Sequence, residues 1–427
     1  NLAEPRDALE APVAIAHIAK LESSPNPGCG GLTCQKCMTE LVRRFSPIQV
    51  SKRAFCCTDG LSDGGLSDAD NATDKVDAFE TFAITIPNGR LWVAPQKSAW
   101  DVCGEIAVFS SDGFLLGNLS RYYPWYLPGC DRHDVINHPV LRKENALPSV
   151  KHLAGRVAVL SGLSAHVYYH WLFDVLPRVG ILQEALQAEG RSLADIDYFV
   201  VNSVQKSFQR ETLMALGVPI DKVVESDRMP HIQAEQLLVP SFAGHLDWVP
   251  PRSLKFLRAA LLINQQESDR QETDRQETDG LRKREGRRLY VTRSRANYRH
   301  VLNEDAVIDS LNSFGFEQIA LETLTVAQQV QLFSEAAMIV GAHGSGLSNL
   351  AFCTVGTTVV EFFSPGYLRT DYWMISEALG LHHYYLMGEK FAFAPLRQLM
   401  YPSGLTEDIL VDVEALKRLM QRLSSVP

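Results

Sequence analysis

The sequence has no run of about 18 apolar residues, and that lack excludes a helix crossing a bilayer. It has no surplus of positive charge. With 41 Lys+Arg against 50 Asp+Glu the formal charge is −9, which argues against nucleic acid, an anionic membrane or another phosphate-rich polymer as a bulk partner. Cysteine is scarce over most of the chain. Of eight, Cys29, Cys34, Cys37, Cys56, Cys57, Cys103 and Cys130 cluster early, and Cys353 stands alone far downstream. Two familiar signatures are missing as well. The glycine-rich turn at 341–349 has no Gly-Lys-[Ser/Thr] after it, so it is not a P-loop. Ser345 lacks the glycines of a nucleophile elbow, since His343 and Leu347 stand in their places, which disfavours an esterase.

The early cysteines read as local disulfides of a secretory-pathway protein. A zinc site built on Cys34-Gln35-Lys36-Cys37 with Cys56 and Cys57 is disfavoured, because adjacent cysteines make awkward tetrahedral ligands and no second Cys-x-x-Cys exists. Cys353 reads as a buried core thiol. Sequons at Asn71 and Asn118 make these the candidate glycosylation sites. A chain that begins at Asn1 rather than Met is expected to be a trimmed form, with a signal or a type II membrane anchor removed. The expected compartment is the lumen of the secretory pathway, Golgi or ER.

Apolar residues at 46% and charged residues at 21% describe a soluble globular chain, long enough at 427 residues for two domains and an extension. Four segments are expected: a Cys-rich irregular extension over 1–75, an acceptor-side Rossmann-like domain over 76–262, a solvated linker or mobile loop over 263–286, and a nucleotide-binding Rossmann-like domain over 287–427. The linker is nearly devoid of apolar residues and repeats Arg-Gln-Glu-Thr-Asp at 270–274 and 275–279, a composition that cannot bury a core. Ser111-Asp112-Gly113 between apolar runs predicts a hairpin. From about residue 156, strands alternate with helices, which predicts an α/β fold with parallel sheets. The helix over 167–186 is expected to bend at Pro177. Thr325 and Gln328 predict a capping box.

Three stretches carry chemistry. At 338–349, a buried strand runs into Gly341, Gly344 and Gly346, with a helix expected from Leu347. Free N–H groups and the helix dipole there suit an anion, and His343 can add a proton donor. The bland alternative is a tight strand–helix turn with no ligand. At 168–178, His170, Asp174 and Arg178 recur at i, i+4, i+8, a stripe that supplies a base or, equally, a surface ion pair. At 287–304, a strand delivers Arg293 and Arg295 to its carboxyl end, where guanidinium groups suit a diphosphate. The competing view is a solvated basic loop.

Taken together, Tyr169-His170-Trp171-Leu172-x-Asp174-x-Leu176-Pro177-Arg178, Tyr290-Val291-x-Arg293 with Arg299 and Asn303-Glu304, and Gly341-x-His343-Gly344-Ser345-Gly346-Leu347-Ser348-Asn349 resemble glycosyltransferase family 61 over roughly residues 150–400. Ser345 and Ser348 depart mildly from the family's usual Ala and Thr. The resemblance implies a GT-B fold, α/β with two facing Rossmann-like domains. It also implies an inverting, metal-independent transfer of xylose, another pentose or GlcNAc from a UDP-sugar to a glycan or glycoprotein hydroxyl. The Asp-x-Asp matches at Asp68–Asp70 and Asp195–Asp197 do not read as a metal clamp, so no metal and no cofactor beyond the donor substrate is expected. Donor-binding roles fall to Arg293, Arg299, His343, the turn Gly344, Ser345, Gly346 and Leu347, and Glu361, whose carboxylate is expected on the ribose. Asp174 is the expected base, oriented or replaced by His170, with Trp171 and Arg178 on the acceptor side. The alternative function is a catalytically inactive nucleotide-sugar or glycan binding protein.

Overall fold

A computed structural model describes residues 81–96, 103–123, 138–143, 146–244, 249–273, 286–389, 397, 399–401 and 404–424. Asn71, Asp68–Asp70, the early cysteines other than Cys103, and the second copy of the polar repeat lie outside these residues. The described residues divide into two units whose boundary falls between Asn264 and Gln265.

The first unit is built on one mixed sheet. Its strands are β1 (Ala83–Pro87), β2 (Arg90–Val93), β3 (Glu105–Phe109), β4 (Arg121–Tyr122), β5 (Lys151–Val159), β6 (Tyr198–Val201), β7 (Val223–Glu225) and β8 (His231–Pro240). The order is β4-β3-β2-β8-β5-β6-β7, with β1 also paired to β8. The strands β8, β5, β6 and β7 run parallel, as the alternation of strands and helices predicts. By contrast β1, β2, β3 and β4, which precede the alternating stretch, pair antiparallel. Asn88–Gly89 only interrupts two segments that pair in succession along one side of β8, and the Ser110–Gly113 turn folds Leu115 back against Phe109 as the predicted hairpin. Val157, Val159, Val200, Leu237 and Val239 join Leu91, Ile106 and Val108 in one core on the sheet face.

Within the parallel strands, the chain steps from β5 outward to β6 and β7 and then returns to the other side of β5 as β8. This reversal leaves a crevice at the carboxyl ends of β5 and β8, the place where open α/β sheets bind ligands. The helical stretch 168–188 follows that end of β5. It starts at Tyr168–His170, widens into a π turn over Trp171–Val175, and continues over Leu176–Ala188. Pro177 has no N–H to give to the carbonyl four residues back, and the hydrogen-bond register loosens just before it.

The second unit holds β9 (Arg287–Val291), β10 (Glu317–Ile319), β11 (Ala336–Ala342), β12 (Thr358–Phe363) and β13 (His382–Met387). All are parallel, in the order β10-β9-β11-β12-β13. Strand order reverses between β9 and β11, so this sheet has its own crevice, where Val291 pairs with Gly341. The capping box at Thr325 forms, with its hydroxyl accepting from Gln328 N and the Gln328 side chain returning to Thr325 N. Three elements escape the pattern reading: β13, the helix Asp371–Leu379 and the helix Pro251–Thr273. The last of these ends at Thr273, within the first copy of the polar repeat.

Candidate functional site

The carboxyl end of the second unit's sheet collects most of the residues expected on the donor side. The strand β9 ends at Val291. Thr292 Oγ1 and the Tyr290 hydroxyl both donate to Glu304 Oε1, at 2.6 and 2.9 Å, which fixes the strand exit. Arg293 follows. Its Nε and Nη2 donate to the carbonyls of Arg299 and Tyr298 at 3.3 and 2.9 Å, while Nη1 has no partner among the described residues. Burial first, then the neighbouring Arg299 charge, pushes its pKa down to about 10, so it stays cationic near neutrality.

Arg299 is almost fully buried and adopts a left-handed backbone at φ 57°. A non-glycine residue held there stores strain of the kind found at functional sites. Its Nε donates to the His343 carbonyl at 2.9 Å and its Nη1 to Leu405 O at 2.8 Å. Arg299 therefore holds the exit of β11 in place, and its guanidinium is not laid open to a ligand.

At that exit, His343 N donates to Phe362 O, and the ring lies among Phe363, Tyr367 and Tyr372. His343 Nδ1 is 2.5 Å from Glu361 Oε1, and Nε2 makes no hydrogen bond among the described residues. Burial pushes its pKa down to about 4 against the opposing pull of Glu361, so the imidazole is neutral near pH 7. Glu361 was expected on the ribose, but it is 1% exposed, and its other oxygen lies 3.0 Å from His383 Nε2. Both oxygens are thus used inside the protein. Glu361 acts through His343.

After His343 the chain turns. Gly344 is extended, and a 3-10 helix, not the α-helix expected from Leu347, runs over Ser345–Phe352. The N–H groups of Gly344, Ser345 and Gly346 have no hydrogen bond among the described residues. Leu347 N already donates to Gly344 O at 2.9 Å, and its side chain is buried, so Leu347 drops out of the donor set. Gly344 is required for a spatial reason. A β-carbon there would lie 1.7 Å from Arg293 Nη1. The arrangement therefore brings a guanidinium, three amides and a neutral imidazole to one end of the sheet, a donor set suited to an anion.

The crevice of the first unit holds His170 and Asp174, joined Nδ1 to Oδ2 at 2.7 Å. Asp174 is the more buried of the two, at 8% against 14% side-chain exposure. Two arginines bear on Asp174, both with pKa values lowered chiefly by burial: Arg121 to about 10 and Arg178 to about 9. Their guanidinium groups lie 3.7 and 4.8 Å from the centre of the Phe242 ring. Arg178, expected on the acceptor side, is instead 1% exposed and bonded to Pro240 O and Ser161 O. It staples the carboxyl ends of β8 and β5. Trp171 is likewise moved from the acceptor side into the core, with Nε1 donating to Thr212 Oγ1 at 2.8 Å. In both cases a polar or amphipathic side chain on a motif helix satisfies itself internally.

Sequence reasoning passes over four residues of these sites. His383 and Tyr372 come from β13 and the Asp371–Leu379 helix, the two elements without a clear pattern. Arg121 sits on a two-residue strand. His166, four residues before His170, continues the i, i+4 spacing and is found by extending it; burial first, then His170 and Lys206, lowers its pKa to about 4.

Elsewhere, Asp195 accepts from Ser192 N in a capping box and Asp197 from Arg156 N on β5, both at 2.7 Å, so both carboxylates of this Asp-x-Asp pair are engaged within the fold. Cys103, grouped above with the disulfide cysteines, is a buried thiol outside any disulfide, and burial raises its pKa to about 12; Cys353 is a buried core thiol, as expected. Asn118 is exposed. Among the described residues, no group of three or more His, Cys, Asp or Glu is placed to hold a metal ion, and no helix is long and apolar enough to cross a membrane.

Residues 168–360 match the family model described as Glycosyltransferase 61, a span that contains all three motif regions. The chain is also similar, at 28% identity over 97 residues, to a β-1,2-xylosyltransferase of Arabidopsis thaliana; the match covers 20% of this chain and 18% of that protein. Among solved structures, an NADPH-dependent glyoxylate/hydroxypyruvate reductase from Sinorhizobium meliloti matches at 12% identity over 63% of this chain and 93% of that chain, with a TM-score of 0.17. That score is too low to bear on fold or function.

Proposed function

We propose, from the premise that this chain belongs to glycosyltransferase family 61, that it moves a sugar from a UDP-sugar to a glycan or glycoprotein hydroxyl with inversion and without a metal. The observation that carries this reading is the crevice between β9 and β11. Arg293 Nη1 lies against Gly344, directly after a His343 whose Nε2 has no partner among the described residues. A UDP leaving group develops negative charge on its diphosphate as the glycosidic bond breaks. Arg293, His343 Nε2 and the amides of Gly344–Gly346 supply hydrogen bonds and positive potential where other enzymes use a cation.

The first unit supplies the base. The acceptor oxygen attacks the anomeric carbon from the face opposite UDP, its proton passes to the base, and the electron pair of the broken C–O bond leaves on the UDP phosphate. The geometry favours His170 as the group that takes the proton, because Asp174 is deeper and occupies Nδ1. The fold we propose is GT-B, with the boundaries given above for its acceptor-side and donor-side domains. The sequons and early cysteines support a site of action in the secretory lumen. Xylose or another pentose is the donor sugar we favour, because a xylosyltransferase is among the similar proteins; GlcNAc is the second candidate.

The deciding experiment is a screen of UDP-sugars for thermal stabilisation and transfer, run with and without excess chelator. Stabilisation by UDP and transfer that survives chelation are expected. No stabilisation by any UDP-sugar removes the donor-site reading, and activity lost to the chelator removes the metal-free one. UDP binding without transfer to any acceptor would favour an inactive binding protein.

The Gly344 contact gives a sharper test. Gly344→Ala is expected to displace the Arg293 guanidinium, since the obstructing atom is the far end of a flexible side chain. UDP affinity should fall about 10-fold, roughly 1.4 kcal/mol, and the unfolding midpoint should fall with it, because moving the guanidinium breaks its bonds to Tyr298 O and Arg299 O. Calorimetric titration with UDP reads the first and thermal unfolding the second. Unchanged affinity would place the nucleotide elsewhere.

A further inference from the structure

Behind His343 lies a buried chain of hydrogen bonds that the anion site alone does not require. His343 Nδ1 meets Glu361 Oε1 at 2.5 Å, Glu361 Oε2 meets His383 Nε2 at 3.0 Å, and His383 Nδ1 meets Ser376 Oγ at 2.8 Å. Four side chains, from the exit of β11, from β12, from β13 and from the Asp371–Leu379 helix, thus form one line. His343, Glu361, Ser376 and His383 are all at least nine-tenths buried. A surface ion pair does not need this construction, and a packed core would be better made without it.

The protons can be counted. A phosphate oxygen only accepts, so His343 must present an N–H at Nε2. If the imidazole is neutral, Nδ1 then carries a lone pair and needs a donor. Among the described residues the group that meets Nδ1 is Glu361, which can donate only as a protonated acid. Its Oε2 is then a carbonyl-type acceptor and takes Nε2–H from a neutral His383. The lone pair left on His383 Nδ1 takes the Ser376 hydroxyl proton. That hydroxyl also lies 2.9 Å from Tyr372 O, so Ser376 has two acceptors within reach and is the end of the line. Every group is satisfied and the chain carries no net charge. The alternative, an imidazolium beside a carboxylate, places two charges in a nearly dry site.

We propose that Ser376, His383 and a protonated Glu361 are positioning residues that hold His343 in the tautomer with its proton on Nε2, facing the donor's diphosphate. This rests on the reading of the β9–β11 crevice as the diphosphate site. The directions of titration agree with it. Burial lowers His383 to about 3 and His343 to about 4, and burial raises Glu361. The other charged and titratable neighbours are Arg299 and Arg369, which bear on His343, Asp371 and Arg299, which bear on Glu361, and the Tyr372 hydroxyl, which burial raises further. Arg369 is already paired bidentately with Asp371.

The test compares wild type with Glu361→Gln, His383→Gln and His383→Phe. Glutamine at 361 repeats the one donor and one acceptor of a neutral acid, so UDP affinity should stay within about 3-fold of wild type. Glutamine at 383 can still donate to Glu361, and binding should be largely kept. Phenylalanine at 383 leaves Glu361 free to ionise, and binding should weaken about 10-fold or more with a new dependence on pH between about 5 and 9. Nitrogen-15 spectra of the imidazoles give a second readout independent of affinity, with the His343 signal assigned by its loss in His343→Gln. The UDP complex of wild type should show the proton on Nε2.

Glu361→Gln weakening UDP binding as much as His343→Ala does would show that a carboxylate is needed, and the inference fails. His383→Phe with wild-type affinity and pH profile would reduce His383 to packing, and the inference fails there too. If wild type binds no UDP at all, the donor-site reading fails first, while the spectra of the free protein still report whether Glu361 and the two imidazoles share their protons in this way.

Discussion

Arg293→Ala is expected to lower kcat/KM for the UDP-sugar by about 10²–10³-fold, the effect of removing one preorganised donor from developing negative charge. Arg293 is the single cation whose guanidinium both abuts the glycine turn and keeps a nitrogen unpartnered among the described residues. Its other nitrogens grip Tyr298 O and Arg299 O, so the group is aimed before any ligand arrives. Lysine cannot grip two carbonyls and still reach a phosphate, so Arg293→Lys should recover only a small part of the loss. Steady-state kinetics at saturating acceptor, paired with UDP titration, separate the effect on leaving-group charge from the effect on ground-state binding. A variant with wild-type kcat/KM would mean that the diphosphate does not lie between β9 and β11.

Arg299 sets a useful contrast. It occupies the neighbouring position in space, yet it spends two nitrogens on His343 O and Leu405 O. Losing it would disturb the backbone that presents His343, and the damage should appear in stability as much as in binding. Two arginines six residues apart, equivalent in the sequence, thus differ in what they hold.

How far the sequence can be read depends on where the partners of each residue come from. The turn at His343–Gly346 is legible because its signal is local: an apolar strand followed at once by glycines has few other uses. The capping box at Thr325 is legible for the same reason, and so is the parallel pairing of β5, β6 and β8. Glu361, expected at the end of its strand, lies two residues inside β12, with histidine neighbours in place of a ribose. Its second partner, His383, arrives from a strand 22 residues later whose run His382-His383-Tyr384-Tyr385 lacks the aliphatic pattern that marks a buried strand. Trp171 and Arg178 mislead for a different reason. A motif says that a residue matters, but not whether it touches a ligand or the fold. Arg178 closes the gap between β5 and β8 by bonding to backbone carbonyls, a role no helical spacing announces. In the antiparallel half of the first sheet the hairpin at Ser111–Gly113 is legible from its turn residues, whereas the pairing of β1 and β2 with β8 joins residues about 140 or more apart and has no local signal.

At the other crevice, Asp174→Asn is expected to cost about 10²–10⁴ in turnover, as large as the loss from His170→Ala. The reason lies in which nitrogen carries the proton. Asp174 Oδ2 sits 2.7 Å from His170 Nδ1, and a carboxylate there accepts, so the hydrogen is on Nδ1 and Nε2 keeps the lone pair a base needs. An asparagine can turn its amide nitrogen toward Nδ1 and donate. That choice moves the imidazole proton to Nε2 and leaves the acceptor hydroxyl with no base in front of it. The neutral amide also gives up the attraction that Arg121 and Arg178 feel from the carboxylate. The signature is a fall in kcat with UDP affinity preserved, because the diphosphate contacts proposed above lie in the other unit. If Asp174→Asn turns over normally while His170→Ala does not, the imidazole works without its partner and Asp174 only stabilises the fold. If His170→Ala is active and Asp174→Asn is not, the carboxylate itself takes the proton and the order of the pair is reversed.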